Sequence, residues 1–345
     1  MAFSRILIRA TNWVGDAVMS LPAIRTVHER FPGAQITVLA RPWVADLYAR
    51  ETAIHRVIPY SAATGFRDLP VKLRSARALH AEKFDCAILF QNAFEAAAIS
   101  WLARIPRRIG YARDGRAALL TDPVPVPKPG EIPSHQRFYY LEMLRRAGLI
   151  GELPHIDAIR LEGGQAAARE GKSRLAERGL ALPVIGVSPG AAYGAAKRWL
   201  PERFAQAAIE VARSSAASVA VFGSQSETAL CETVADMIQR GGVNASNFAG
   251  ETALRAFIEM AAACRVFLTN DSGAMHIASA LGVPTVAVFG ATDDTATGPT
   301  GPLARVVREP VECSPCLLRE CPIDHRCMTR VTSGQVSGVA LELLR

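Results

Sequence analysis

No stretch of this 345-residue chain stays apolar long enough to cross a bilayer, which takes ~20 consecutive residues. Its opening residues, MAFSRILIRA, run straight into a strand pattern, without the apolar core and small-residue cleavage site of a secretory leader. Both absences predict a chain that stays in the cytosol. No D-x-D pair is available to hold a divalent metal on a diphosphate. The three-glycine fingerprint of dinucleotide folds is missing as well. After the first apolar run, ILIRATNWVGDAVMSLPAIRTV (6–27) offers only Gly15, followed at once by Asp16. A carboxylate at a helix N-terminus repels phosphate, which argues against a nucleotide in this half and against a nicotinamide oxidoreductase. The chain also has no lysine-rich tail and no basic stretch interleaved with aromatics, so nucleic acid is not an expected partner.

What is present is a mildly basic chain, half hydrophobic, with a formal net charge of +7. The charge suits an anionic partner, either a membrane face or a phosphorylated substrate. At roughly one domain per 100–200 residues, the length predicts two domains. Strand runs RILIRA (5–10), QITVLA (35–40), HRVIPY (55–60), DCAILF (85–90) and RRIGY (107–111) alternate with helical patterns near 16–31, 43–50, 68–82 and 94–104. Near-continuous apolar strands between helices predict a parallel sheet covered on both faces. TDPVPVPKPGEIPS (121–134), with its five prolines, predicts an extended surface loop. A helix is expected over 135–149, then a linker, and a second alternation through PVIGVSPG (183–190), SVAVFG (218–223), RVFLTN (265–270) and PTVAVFG (284–290). The expectation is an α/β protein of two doubly wound domains, 1–157 and 158–345, facing across a cleft, with the last helix able to pack back on the first domain. Ligands on such sheets sit at the carboxyl ends of the strands.

Four turns of the second half meet that condition. In SPGAAYGAAKRW (188–199), Gly190 and Gly194 permit close approach of backbone amides to an anion, and Lys197 adds positive charge; a flexible turn with a solvated Lys–Arg pair is the competing reading. In TNDSGAMHIASALG (269–282), Asp271 or Ser272 can cap a helix whose first amides, near Gly273, face an anion, with His276 one turn on. FGSQSE (222–227) places Glu227 where an acid meets ribose hydroxyls, or merely starts a helix, and NFAGET (247–252) offers backbone groups to a base edge. Asp16 is suited to take a proton from an attacking alcohol, or to cap its helix.

Taken together, NWVGDAVMSLPAIR, SPGAAYGAAKRW, FGSQSE, NFAGET and TNDSGAMHIASALGVPTVAVFG resemble the ADP-heptose:lipopolysaccharide heptosyltransferases of glycosyltransferase family 9, in order and over nearly the whole chain. The resemblance implies a GT-B architecture and an inverting, metal-independent transfer of heptose from ADP-heptose to the lipopolysaccharide inner core. This would take place at the anionic cytosolic face of the inner membrane. It implies Asp16 as general base and Lys197 as the group neutralising the departing diphosphate. Ser188, Gly190, Gly223, Ser224, Glu227, Ala249, Gly250, Glu251, Asp271, Ser272, Gly273 and His276 would form the donor site. A sister transferase adding a different heptose or another sugar, and a non-catalytic sugar-nucleotide sensor, are the alternatives.

Two further groups follow. RIPRRIGYARDGR (104–116) carries five arginines against one aspartate, and Arg113, Arg116 and Arg137, with Trp13, are expected to meet the acceptor's carboxylates and phosphates. Cys313, Cys316, Cys321 and Cys327 fall within fifteen residues, with His325 between the last two. In a reducing compartment that clustering suggests a structural zinc or iron site or reduced thiols ahead of oxidative pairing, with no part in catalysis.

Overall fold

The computed structural model describes residues 3–63 and 68–345. The chain divides into two compact units, Met1–Ile156 and Asp157–Arg345. In the first unit, strands β1 (Arg5–Arg9), β2 (Gln35–Ala40), β3 (Arg56–Pro59), β4 (Cys86–Leu89), β5 (Arg107–Tyr111) and β6 (Asp122–Val124) form one sheet in the order β3-β2-β1-β4-β5-β6. All pairings are parallel, with Ile8 of β1 opposite both Val38 and Ile88. The five apolar runs expected as strands are all present. β6 lies inside the proline-rich stretch expected to be loop. Pro123 fits there because β6 is the edge of the sheet, where a missing N–H breaks no ladder.

The second unit has the same winding. β7 (Val184–Ser188), β8 (Ser218–Val221), β9 (Ala245–Asn247), β10 (Val266–Asn270), β11 (Thr285–Val288) and β12 (Ala304–Val307) are ordered β12-β11-β10-β7-β8-β9, again wholly parallel. In both units the chain winds outward from the centre in one direction and then restarts in the other. The switch points fall between β1 and β4 and between β7 and β10, so ligands are expected at the carboxyl ends of those four strands. Short edge strands β9 and β12 carry too few residues to show as periodic runs.

Val18, Leu21, Ile24 and Val27 form the buried stripe of helix Val14–Arg30, which stops just before Gly33. In the second unit, Phe222 stacks between Phe248 and Phe267, with ring centroids 5.5 and 5.9 Å apart. Gly186 is opposite Phe267 in the sheet, and a Cβ there would lie 2.3 Å from that ring. The final helix, Ser333–Leu343, packs on helix Pro201–Ser215 and on β10–β12 of its own unit. Its apolar face (Val336, Ala340) completes the same core as Trp199 and Phe204.

Helix Gly164–Glu177, which the sequence pattern did not reveal, packs closely on helix Leu254–Ala263. A Cβ on Gly171 would stand 1.9 Å from the Glu259 carbonyl oxygen. Gly171→Val is therefore expected to cost about 2–3 kcal/mol, read as a lowered denaturation midpoint. Glu259 itself is wholly buried and held by Arg174 at 2.6 Å and Arg255 at 2.9 Å. Burial opposes its charge, but the hydrogen bonds, led by that of Arg255, bring its carboxyl down to about 2. A carboxyl depressed on folding stabilises fully above its unfolded value of ~4.3 and loses that contribution as pH falls toward its folded value. Glu259→Gln should flatten the acid limb of melting temperature against pH below ~4.3.

Candidate active site

At the switch point of the second unit, β10 ends in Asn270, whose side chain is fully buried. Its Oδ1 accepts the Trp199 backbone N–H at 2.9 Å, and its Nδ2 donates to the Pro189 carbonyl at 2.7 Å. One amide thus ties both ends of the 189–199 turn to the neighbouring strand. The next residue, Asp271, is 5% exposed and receives Lys197 Nζ at 2.5 Å and Thr292 Oγ1 at 2.6 Å, both on Oδ2. Lys197 also lies 4.7 Å from the Tyr193 ring centroid. Its ammonium is held in place instead of sweeping through solvent, which rules out the solvated-pair reading of this turn.

Ser272 is the N-cap of helix Gly273–Ala280, but its hydroxyl contacts Thr269 Oγ1 at 3.2 Å and makes no side-chain cap. The first amides of that helix keep their capacity to meet an anion beside Lys197. His276 is buried, with its backbone N–H on the Ser272 carbonyl.

The remaining turns join this rim. Glu227 Oε2 accepts the Ser224 backbone N–H at 2.9 Å and the Ser224 hydroxyl at 2.7 Å, closing a capping box. Its Oε1 faces Arg198 at 3.9 Å. A Cβ on Gly190 would be 2.1 Å from that Oε1, so glycine lets the first turn rest on the acid of the second. Gly250, at φ +76°, donates its N–H to the Gly223 carbonyl at 3.1 Å, next to buried Ala249. Glu251 turns outward to Arg178, and Ser188 closes the end of β7.

The cysteine segment buttresses the same turn. Arg319 O accepts the Ala196 N–H at 2.9 Å, Leu317 O accepts the Tyr193 hydroxyl at 2.7 Å, and His325 Nε2 lies 3.0 Å from Ala196 O. Gly194 is required there, since a Cβ would meet Arg319 O at 2.2 Å. Cys327 is buried beneath Gly290, whereas Cys313 is exposed. Burial, and then the neighbouring thiols of Cys313, Cys316 and Cys321, push the Cys327 thiol up. Among the described residues, however, no three His, Cys, Asp or Glu side chains are grouped to hold a metal ion. The segment's contacts with the turn are made by backbone carbonyls and by His325.

In the first unit Asp16 lies in the first turn of helix Val14–Arg30, but the N-cap is Trp13. Asp16 is therefore not the capping residue. Its Oδ1 accepts the hydroxyl of buried Tyr140 at 3.2 Å, and burial followed by the Asp16 charge raises that phenol well above its ordinary value. Trp13 is 58% exposed, Arg113 is exposed beside Asp114, and Arg137 begins helix Arg137–Arg146. Arg116 corrects its expected role. It is 0% exposed, with Nε on Tyr111 O at 2.9 Å, Nη2 on Asn92 Oδ1 at 3.1 Å and Nη1 on Gln91 O. Its fork is used up joining the ends of β4 and β5, and burial pulls it down to about 10. Sequence reasoning missed Asn270 and Thr292, which read as ordinary polar residues at strand ends. It also missed Arg9 and Arg41, whose signal is a charge closing an apolar strand.

Asn270→Ala would leave the Trp199 N–H and Pro189 carbonyl buried without this partner. It should cost about 2–4 kcal/mol, measured by denaturant unfolding.

Residues 72–326 match the sequence pattern of glycosyltransferase family 9 (heptosyltransferase). The chain is 32% identical to lipopolysaccharide heptosyltransferase 2 of Salmonella typhimurium and 31% identical to that of Escherichia coli, each over 88% of both chains. The structure of E. coli ADP-heptose lps heptosyltransferase II superposes with a TM-score of 0.81 at 27% identity, covering 99% of this chain and 98% of the other. Its architecture is that of the GT-B heptosyltransferases. The Lys197–Asp271 rim and its two like-wound sheets are thus the fold and candidate site of a glycosyltransferase, and the chain belongs to glycosyltransferase family 9, the heptosyltransferases.

Proposed function

We propose that the protein transfers heptose, with inversion and without a catalytic metal, from ADP-heptose to the first heptose of the lipopolysaccharide inner core. The observation that carries this reading is the Lys197–Asp271–Thr292 network beside the uncapped start of helix Gly273–Ala280. As the anomeric bond breaks, negative charge grows on the departing diphosphate. A fixed ammonium and oriented amides stabilise that charge without reorganising. Asp271 holds Lys197 ready, and on nucleotide binding Lys197 can share its three N–H donors between Asp271 and a phosphate oxygen. Glu227 Oε1 and the Gly223–Gly250 backbone would meet ribose and base, and Ser272, Gly273 and His276 the sugar and phosphates.

Asp16 is the base. An inverting attack needs the incoming hydroxyl opposite the leaving group, and the chain carries base and cradle on separate units. The Tyr140 hydroxyl donates to Asp16 Oδ1 and orients the carboxylate that takes the acceptor proton. Relatives of about 30% identity that bear the heptosyltransferase 2 name support the position of transfer. The net charge of +7 supports work at an anionic inner-membrane surface. Among the described residues no helix is long and apolar enough to cross a membrane.

The deciding assay is transfer from ADP-heptose to an acceptor already carrying one heptose. Asp16→Asn should lower kcat by about 10²–10⁴ with ADP affinity intact; undiminished turnover would sink the assignment of the base. Lys197→Ala should lower kcat about 10²–10³-fold and weaken ADP binding as well, read by calorimetry on the same protein.

A further inference from the structure

The cysteine-bearing segment reaches two turns of the donor rim. The Ser314 hydroxyl donates to the Gly290 carbonyl, and the Leu317 N–H donates to the Ala291 carbonyl at 2.8 Å. Just beyond, the Arg319 carbonyl accepts the Ala196 N–H. Residues 314–319 therefore run from the turn after β11, which carries Thr292, to the turn that carries Lys197. Those are the two turns whose side chains meet on Asp271 Oδ2. Backbone bonds at both ends fix where this stretch lies, and its one cationic side chain is Arg319.

The Arg319 guanidinium lies 5.2 Å from the centroid of the Tyr193 ring, and the Lys197 ammonium lies 4.7 Å from the same centroid. The Tyr193 hydroxyl donates to the Leu317 carbonyl, so ring and arginine are set by one stretch of backbone. One aromatic face system thus gathers two cations at the rim. They are held differently. Lys197 is mostly covered and is neutralised by Asp271 at 2.5 Å. Arg319 is exposed, and among the described residues no carboxylate pairs with it; the neighbouring acid, Glu320, is itself exposed. The rim therefore carries an open guanidinium, a held ammonium and the first amides of helix Gly273–Ala280, which together favour an anion. A guanidinium suits that place. Its planar fork can take two oxygens of one phosphate, while stacking on a ring orients the plane and leaves its N–H donors for a ligand.

We propose that Arg319 is a second cation of the donor site, its fork taking the terminal phosphate of a nucleoside diphosphate beside Lys197. The 313–327 segment is then a wall of that site as well as a support for the turn. This rests on the reading of the rim as a diphosphate site. When the anomeric C–O bond breaks, its electron pair stays on the terminal phosphate, and Arg319 shares with Lys197 the charge that appears there.

Calorimetry with ADP and with AMP on the full chain tests this without requiring transfer. Arg319→Gln should weaken ADP binding about tenfold and leave AMP binding unchanged, because AMP lacks the terminal phosphate. Arg319→Lys, which keeps the charge and loses the fork, should recover part of the loss. A brace acting only through Lys197 would have no effect once that side chain is gone, whereas a direct contact still counts. In the Lys197→Ala background Arg319→Gln should therefore weaken ADP binding further, by about the same factor. Wild-type ADP affinity in Arg319→Gln overturns the proposal. So does an equal weakening of AMP, or no further loss in the Lys197→Ala background. The transferase reading survives all three of these results. If the wild type binds ADP but transfers no heptose, that reading falls, and the ADP–AMP comparison still decides the role of Arg319. A wild type that binds no ADP overturns both.

Discussion

The candidate donor site depends on the side-chain amide of Asn270. Buried at the end of β10, it holds the start and the end of the 189–199 turn simultaneously. Once those ends are fixed, Lys197 falls within reach of Asp271, Glu227 can rest on Gly190, and the 313–327 segment has a surface to pack against. An amide does this better than a charged group. It offers donor and acceptor together and loses little on leaving water.

The two sheets share one winding order but differ in what their switch points carry. In the second unit the turns after β7 and β10 present backbone amides, a held ammonium and small residues, the equipment for a diphosphate. In the first unit helix Val14–Arg30, which follows β1, carries Asp16 on a phenol, and the ends of β1 and β2 carry the buried Arg9 and Arg41. The same topology thus gives one unit a turn rich in backbone amides and the other a carboxylate held by a phenol, with buried arginines nearby. Chemistry is set by a handful of strand-end residues, and the fold supplies only the place.

Tight glycine contacts explain why the turns resist being read as flexible. Gly190 and Gly194 are enclosed by Glu227 and by the Arg319 carbonyl, and a methyl group at either would force a segment away. The cysteine segment belongs to this packing. Its spacing drew attention to the sulfurs, yet Leu317, Arg319 and His325 make the contacts with the turn.

The apolar strand runs, their alternation with helices and the polar turns at their ends determined the parallel α/β fold, because a buried parallel strand must be nearly continuous in apolar residues. Those turns also named Lys197, Asp271 and Glu227, since short polar or glycine-rich connections after such strands are visible without coordinates. Strands β6, β9 and β12 were not legible, because an edge strand of three or four residues needs its neighbour's ladder more than its own pattern. The fate of single charges was likewise decided only by the tertiary structure. Arg116 lies in an arginine-rich stretch that looks like surface, but converging carbonyls from β4 and β5 draw it fully inside. Arg9 and Arg41, at the ends of two unremarkable strands, are both buried against the Tyr60 ring because β1 and β2 are adjacent in the sheet. Burial and partnership of a charge depend on residues far away in sequence, and no local pattern encodes them.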